Sequence, residues 1–192
     1  MVATRFRFNG GRLSLNFVAT SAGRYLDGGG EEQLAQGEDL GRWFQLAGLV
    51  SEPPIARPTE LVQARQLREA VYWLVHPRTR DDPSQDNIDT LNLWAAHCGL
   101  RPVLSADART ASLVAEHPVR ACLSAVAADA IDILTGPDLA YTRECMHARC
   151  SVLFLDASRA RQRRWCDMTR CGNRSKADRH RIRSRTARAQ DQ

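Results

Sequence analysis

Four cysteines near the C-terminal end of the chain have the spacing of a metal site. They form two pairs, with four residues inside each pair and fifteen between the pairs: Cys145 and Cys150, then Cys166 and Cys171. Such pairs are typical of tetrahedral zinc, because each can turn back and place two sulfurs about 2.3 Å from one ion. The sequence therefore predicts one structural Zn²⁺ bound by four thiolates. Since four protein ligands leave no open position, we predict no catalysis at the metal.

Other residues could compete for the ligand role. His147 lies inside the first pair and could replace Cys145 or Cys150 in a site of three cysteines and one histidine. Because four cysteines already saturate the ion, we expect His147 to be surface-exposed. Cys98 and Cys122 lie far upstream on predicted helices, where we expect buried core thiols, and their spacing does not favour a redox pair. The alternative of four clustered thiols without a metal is disfavoured by the paired spacing.

The positive charge of the chain is concentrated around and after these cysteines. Residues 143–192 contain 13 Arg and one Lys against five acidic residues, giving +9, whereas residues 1–142 contain 13 Arg against 17 acidic residues, giving −4. This asymmetry indicates contact with nucleic acid or another anionic surface at one end. We favour nucleic acid over a merely solvated basic tail, because the basic run adjoins the predicted zinc module. The residues that we predict to contact nucleic acid are Arg164, Arg170, Arg174, Lys176, Arg179, Arg181, Arg183 and Arg185.

Short elements must position the four ligands. Residues 151–156 are strand-like and residues 163–166 are their predicted partner, so that Phe154 and Trp165 pack around the site. Metal binding should supply the folding energy, because a segment of about 45 residues buries too little surface to be stable alone.

A basic helix over residues 172–188 should follow the last ligand. Its positive N-terminal dipole near Cys171 would stabilise the net −2 charge of Zn²⁺ with four thiolates. We expect Asn173 to brace this turn through a side-chain hydrogen bond and Trp165 to support the ligands.

The chain before the cysteines is predicted to form a mostly helical α+β domain. Apolar residues at helical spacing predict helices over 38–47, from a Thr59 cap to Pro77, over 85–98 and over 117–135. A hairpin is predicted between residues 100–104 and 111–114. Residues 6–11 read as a short strand, and residues 13–18 fit either a second strand or a helix.

Several functional classes are disfavoured. The chain has no run of about 18 apolar residues, so no membrane span is predicted. The first residues alternate charged and apolar side chains, unlike a secretory signal, and we expect a cytoplasmic protein. A nuclease using His147 or His180 with Asn173 is the least favoured function, because no carboxylate pair or nucleophile–base pair is evident.

Two motifs resemble known families. The C-terminal motif resembles the CGNR zinc-finger signature: Trp165-Cys166-x-Met168-x-x-Cys171-Gly172-Asn173-Arg174-x-Lys176, preceded by Cys145, Cys150 and Phe154-Leu155-Asp156-x-Ser158-Arg159. The N-terminal motif resembles the opening of the ABATE domain: Phe8-x-Gly10-Gly11-Arg12-Leu13-x-Leu15-x-Phe17-Val18.

The resemblance implies a stress-linked transcriptional regulator. Residues 1–139 would form the ABATE-like domain, a candidate sensor that binds a small-molecule effector or forms a homodimer. Residues 140–192 would form a treble-clef-like zinc finger with a basic helix that binds duplex DNA. The main alternative is an RNA-binding or ribosome-associated zinc module, in which Phe154 or Trp165 stacks on bases.

Overall fold

The computed structural model describes residues 6–190, and for residues 180 and 185–190 it describes the backbone alone. The helices are α1 (Leu13–Val18), α2 (Gly37–Leu46), α3 (Pro58–Val75), α4 (Gln85–Ala95), α5 (Pro118–Thr135) and α6 (Asn173–Gln190). The strands are β1 (Ser21–Ala22), β2 (Glu31–Glu32), β3 (Arg101–Leu104), β4 (Ala111–Val114), β5 (Thr142–Glu144) and β6 (Leu153–Leu155). A 3₁₀ turn spans Pro137–Tyr141, and a wide π-type turn spans Met168–Gly172. This architecture confirms the predicted α+β class with a mostly helical N-terminal part.

Helix α3 runs through the centre of the N-terminal core. Its apolar residues recur at helical spacing and are buried, as Ala64, Leu67 and Val71 illustrate. The predicted Thr59 cap is wrong: Pro58 occupies the first helical position, and the Glu60 carboxylate accepts the Arg57 N–H at 2.9 Å.

The predicted helices around α3 are confirmed with shifted ends. Helix α2 is followed by Gly48 at φ +75°, a conformation that suits glycine beyond a helix end. Helix α4 stops at Ala95, three residues before Cys98. The prediction of a buried Cys98 is therefore wrong, since its side chain is exposed outside the helix, whereas Cys122 on α5 is buried as expected.

Residues 6–11 do not form the predicted strand, and residues 13–18 form helix α1. Leu15, Phe17 and Val18 are all fully buried, which a helix against α3 and α5 allows and an alternating strand would not. Gly11 has φ +84°, and a Cβ there would lie 3.2 Å from the Leu155 Cβ. The glycine therefore lets the N-terminal segment approach β6, where the Leu155 N–H donates to the Gly10 carbonyl at 2.8 Å.

Three two-stranded antiparallel sheets complete the fold. Strands β3 and β4 form the predicted hairpin, with Arg101 opposite Val114. Strand β6 pairs with β5, with Arg143 opposite Phe154, so the predicted pairing of residues 151–156 with 163–166 is wrong. The segment 163–166 instead contributes one main-chain bond, from the Met146 N–H to the Arg164 carbonyl at 2.9 Å.

The C-terminal segment is built into the N-terminal domain. Leu153 of β6 is fully buried in the main core, while Ala19 and Ala22 pack into the apolar cluster around the four cysteines. The predicted domain boundary at 139/140 lies within the 3₁₀ turn. Among the described residues, no helix has both the length and the apolar character needed to cross a membrane.

Candidate metal centre

The four cysteines converge from three separate pieces of chain. Cys145 directly follows β5 and its N–H bonds to the Val152 carbonyl at 3.0 Å. Cys150 closes a turn in which its N–H donates to the His147 carbonyl at 2.8 Å. Cys166 precedes the wide turn and Cys171 lies within it, just before α6. All four thiols are buried, and their sulfur atoms lie within 4.8 Å of one another.

The spacing of the sulfurs fits a zinc ion. Cys150 Sγ lies 3.9 Å from Cys166 Sγ, which lies 3.7 Å from Cys171 Sγ. A tetrahedron with zinc–sulfur bonds of about 2.3 Å has sulfur–sulfur edges of about 3.8 Å. The predicted ligand set is therefore assembled with the dimensions of one tetrahedral ion, and a thiolate set of this kind favours Zn²⁺.

The chemistry of the thiols also favours a divalent cation. Hydrogen bonds from Cys150, Cys166 and Cys171 hold the pKa of Cys145 well below its ordinary value. The same interaction with Cys145 raises the pKa of Cys150 and Cys166, because their protons are shared with its sulfur. Cys145 opposes the ionisation of Cys171, but hydrogen bonds from Cys150 and Cys166 outweigh it and lower its pKa. Without a cation the cluster thus ionises only in part, and loss of the protons of Cys150 and Cys166 is opposed. A bound Zn²⁺ removes that opposition by neutralising the thiolates.

Two aromatic residues enclose the centre. Phe154 is fully buried in the cysteine cluster, and Trp165 packs against it partly exposed, as the sequence predicts. The Trp165 Nε1–H also donates to Ser175 Oγ at 2.9 Å, which ties the ligand loop to the first turn of α6. Ser175 was not anticipated from the sequence, because a polar helix residue carries no distinguishing pattern.

Comparison with protein-family models identifies both halves of the chain. Residues 11–137 match the ABATE family model, described as "Putative stress-induced transcription regulator". The chain belongs to the ABATE family. Residues 142–184 match the CGNR zinc finger, which contains all four cysteines. No curated protein sequence matches the chain significantly.

The ABATE domain thus precedes a CGNR finger that binds one structural zinc ion. The four predicted ligands, Cys145, Cys150, Cys166 and Cys171, all lie in this finger with their sulfurs close enough to hold one ion. The predicted domain limits of 1–139 and 140–192 stay predictions.

Asp167 braces the CGNR turn where Asn173 was predicted to do so. Its carboxylate accepts the Arg170 N–H at 2.9 Å and the Thr169 hydroxyl at 2.7 Å. These two bonds, the Thr169 bond foremost, lower the pKa of Asp167. Asn173 is exposed, and within the described chain its side chain has no hydrogen-bond partner. An aspartate just before a helical turn is a recognisable capping signal that the sequence offered.

We expect Asp167→Ala to lower the free energy of unfolding by about 1 kcal/mol, the usual effect of removing a helix cap. Asp167→Asn should lose less, because its amide oxygen can still accept the Arg170 N–H. Urea unfolding of the zinc-loaded protein measures both. Equal losses in the two variants would show that the carboxylate acts by charge and not by capping.

His147 is buried, so the prediction of a surface-exposed histidine is wrong. Its side chain is 5% exposed, because the ligand turn folds over it. His147 Nδ1 accepts the Arg149 N–H at 3.2 Å, and Nε2 lies 3.5 Å from Asp178 Oδ2 on α6. The histidine thus supports the CGNR turn from inside and leaves metal binding to the cysteines.

Five of the basic residues predicted to contact nucleic acid lie on two opposite sides of α6. Lys176, Arg179 and Arg183 follow one another at spacings of three and four, so they share one side, and all are exposed. Arg174 and Arg181 lie on the other side and line a cavity with Glu31 of the ABATE domain.

The remaining basic residues of that prediction differ in their surroundings. Arg170 is 3.8 Å from Glu31 Oε2, and Arg164 lies over the Trp165 ring at 5.2 Å. The side chain of Arg185 lies outside the described residues.

Proposed function

We propose that this zinc protein is a DNA-binding transcriptional regulator whose helix α6 contacts the phosphate backbone of duplex DNA. The family description supports a role in transcriptional regulation, and the zinc centre fixes the position of the first turn of α6. The single observation that carries the proposal is the exposed stripe formed by Lys176, Arg179 and Arg183. The proposal includes no catalytic step, since four cysteines saturate a tetrahedral ion.

The helix is well placed to reach a duplex. Its 18 residues span about 27 Å, and outside the wide turn before it, α6 has few contacts with other helices and strands of the described chain. Cys171 and the Trp165–Ser175 bond fix its first turn relative to the metal. The basic stripe is thus held on a rigid base, away from the helical core.

The acidic groups near α6 lie on the side opposite the stripe. Asp178 is 3.5 Å from Arg181 Nη1, and Glu31 closes the cavity that Arg181 lines. These carboxylates offset part of the charge of Arg174 and Arg181. The stripe is therefore the side of the helix on which phosphates would be bound most strongly.

We expect the affinity for duplex DNA to fall steeply as salt rises, because each neutralised phosphate releases counterions. Replacing Lys176, Arg179 and Arg183 with alanine should weaken binding across all sequences. It should also reduce the slope of log K against log salt by about 3, roughly one for each lost phosphate contact. Fluorescence anisotropy over a salt series measures both quantities.

The matched control removes the same charge elsewhere. Arg42, Arg101 and Arg109 are exposed on the ABATE domain, and their triple alanine variant should keep the salt slope of the wild type. If the two triple variants lost affinity equally, net charge alone would account for binding and the α6 interface would be rejected.

The RNA alternative has less support. Phe154 is fully buried, and Trp165 is covered by Arg164 and bonded to Ser175, so neither ring is free to stack on a base. Competition between duplex DNA and structured RNA at equal salt separates the two functions. The cytoplasmic location expected from the sequence stays a prediction. A homodimer and a small-molecule effector stay predictions.

A further inference from the structure

A second cationic surface, separate from the α6 stripe, lies where the ABATE domain meets the finger. A cavity of about 490 Å³ opens between the segment that follows α3, strand β5 and the loop 161–164. Its charged lining contains one carboxylate, Glu144, and six arginines: Arg78, Arg80, Arg143, Arg161, Arg163 and Arg164. Such a concentration of like charge in a concave site raises the local concentration of anions.

The protein itself does little to neutralise this charge. The Glu144 carboxylate is hydrogen-bonded to His76 Nε2 at 3.1 Å and accepts the Tyr72 hydroxyl at 3.3 Å. Arg143 lies 3.5 Å from the buried Asp156, and in the described part of the chain the other five arginines form no ion pair. Asp81 and Asp82 follow Arg80 in sequence but do not line the cavity.

Three of the arginines are held in place by carbonyl groups or by an aromatic ring. Arg80 donates to the Leu139 carbonyl at 2.9 Å, and Arg143 donates to the Arg161 carbonyl at 2.7 Å. Arg161 lies over the Tyr141 ring at 4.0 Å. These three guanidinium groups keep further N–H donors for a ligand, and their fixed positions lower the entropy lost on binding.

We propose that this cavity is a binding site for phosphate groups. Guanidinium groups bind phosphate through two parallel hydrogen bonds, and several of them around one cavity suit a multiply charged anion. The volume lies in the range of about 300–1,000 Å³ that is typical of small-ligand sites. The phosphate is carried either by a free phosphorylated molecule or by a DNA strand.

This site goes beyond the proposed function, because none of Lys176, Arg179 and Arg183 lines the cavity. A phosphate bound there would contact both parts of the protein at once: Arg78 and Arg80 follow α3, while Arg143 lies two residues before the zinc ligand Cys145. Binding would thus contact the finger next to its metal without contacting α6.

Inorganic pyrophosphate is the probe for a free phosphorylated ligand. It is titrated into the full zinc-loaded chain at low salt, and calorimetry measures its binding. We expect the double variant Arg78→Gln, Arg80→Gln to weaken its binding about tenfold or more, because charge-assisted bonds are lost. Neither Arg78 nor Arg80 contacts the cysteine cluster, so zinc content should not change, and thermal unfolding checks that the variant stays folded. The charge-matched control is Arg101→Gln, Arg109→Gln on the exposed hairpin.

Duplex DNA titrated against the same variants gives the second arm. Loss of pyrophosphate binding with unchanged DNA affinity supports a free phosphorylated ligand, and loss of DNA affinity alone supports a strand phosphate. The site is rejected if the double variant and the hairpin control have the same affinity for pyrophosphate and the same affinity for DNA. The triple variant of α6 is independent, since it tests the proposed function and should leave pyrophosphate binding unchanged.

Discussion

Replacing Cys166 with serine should reduce the zinc content from one ion per chain to nearly none. Cys166 Sγ lies in the sulfur cluster, 3.9 Å from Cys150 Sγ and 3.7 Å from Cys171 Sγ. A serine hydroxyl stays protonated near neutral pH and cannot replace a thiolate ligand. Structural zinc supplies on the order of 10 kcal/mol of folding energy in isolated finger peptides, so the loss should be severe.

The effect should extend beyond the finger. Leu153 of β6 is part of the main core, and Ala19 and Ala22 of the N-terminal part pack against the cysteine cluster. A finger that unfolds without metal therefore exposes apolar surface of the ABATE domain as well. Thermal unfolding followed by circular dichroism should show a lower Tm for the whole chain, rather than a loss confined to the finger. Native mass spectrometry measures the zinc.

Cys98→Ser is the matched control, because Cys98 is exposed and lies outside the cluster. It should keep one zinc per chain and the Tm of the wild type. A Cys166→Ser protein with full zinc content and unchanged Tm would contradict the assignment of Cys166 as a ligand, whatever the other cysteines do.

Local patterns made most of the helices and the metal site predictable from the sequence. The pairs around Cys145 and Cys166 indicate zinc because ligand geometry is set within a few residues of chain. Helices α3 and α5 follow from apolar residues at helical spacing, and Gly48 marks the end of α2. In each of these cases the deciding interactions lie close together in sequence.

Interactions between distant segments caused the errors. The partner of β6 is β5 and not residues 163–166, because strand pairing depends on tertiary neighbours more than on local preference. His147 is buried because α6 and the ligand turn close over it, and a single polar residue gives no sign of this. Residues 13–18 fitted two periodicities, and only their burial against α3 and α5 decides for the helix.

The charge pattern of α6 depends both on local spacing, which the sequence reveals, and on distant residues, which it does not. Helical spacing groups Lys176 with Arg179 and Arg183, and Arg174 with Arg181, from the sequence alone. Which group lies beside an acidic residue depends on where the ABATE domain places Glu31, about 150 residues earlier in the chain. The sequence therefore predicts the two sides of the helix but not their orientation.

Arg68→Ala should lower the free energy of unfolding by about 3 kcal/mol, the lower end for breaking a buried ion pair, because the partner carboxylates are partly exposed. Arg68 is 4% exposed, and it donates to Glu32 through two bonds of 2.7 Å and to Glu69 through one of 2.8 Å. Its removal leaves these carboxylates partly buried with less neutralisation. Urea unfolding measures the change, and Arg42→Ala, an exposed arginine on α2, should change stability by less than about 0.5 kcal/mol.

The pH dependence of the stability difference between wild type and Arg68→Ala shows whether Arg68 acts through its charge or through packing. Burial opposes the ionisation of Glu69, but Arg24 and Arg68 outweigh it and hold its pKa below the ordinary value. A lowered pKa gives stability that is present above the ordinary glutamate pKa of about 4.3 and is lost as the pH falls through the lower folded value. The stability gap between wild type and Arg68→Ala should therefore narrow between neutral pH and about pH 3. A gap that stayed constant would mean that Arg68 stabilises the core by filling space, independently of the charge on Glu69.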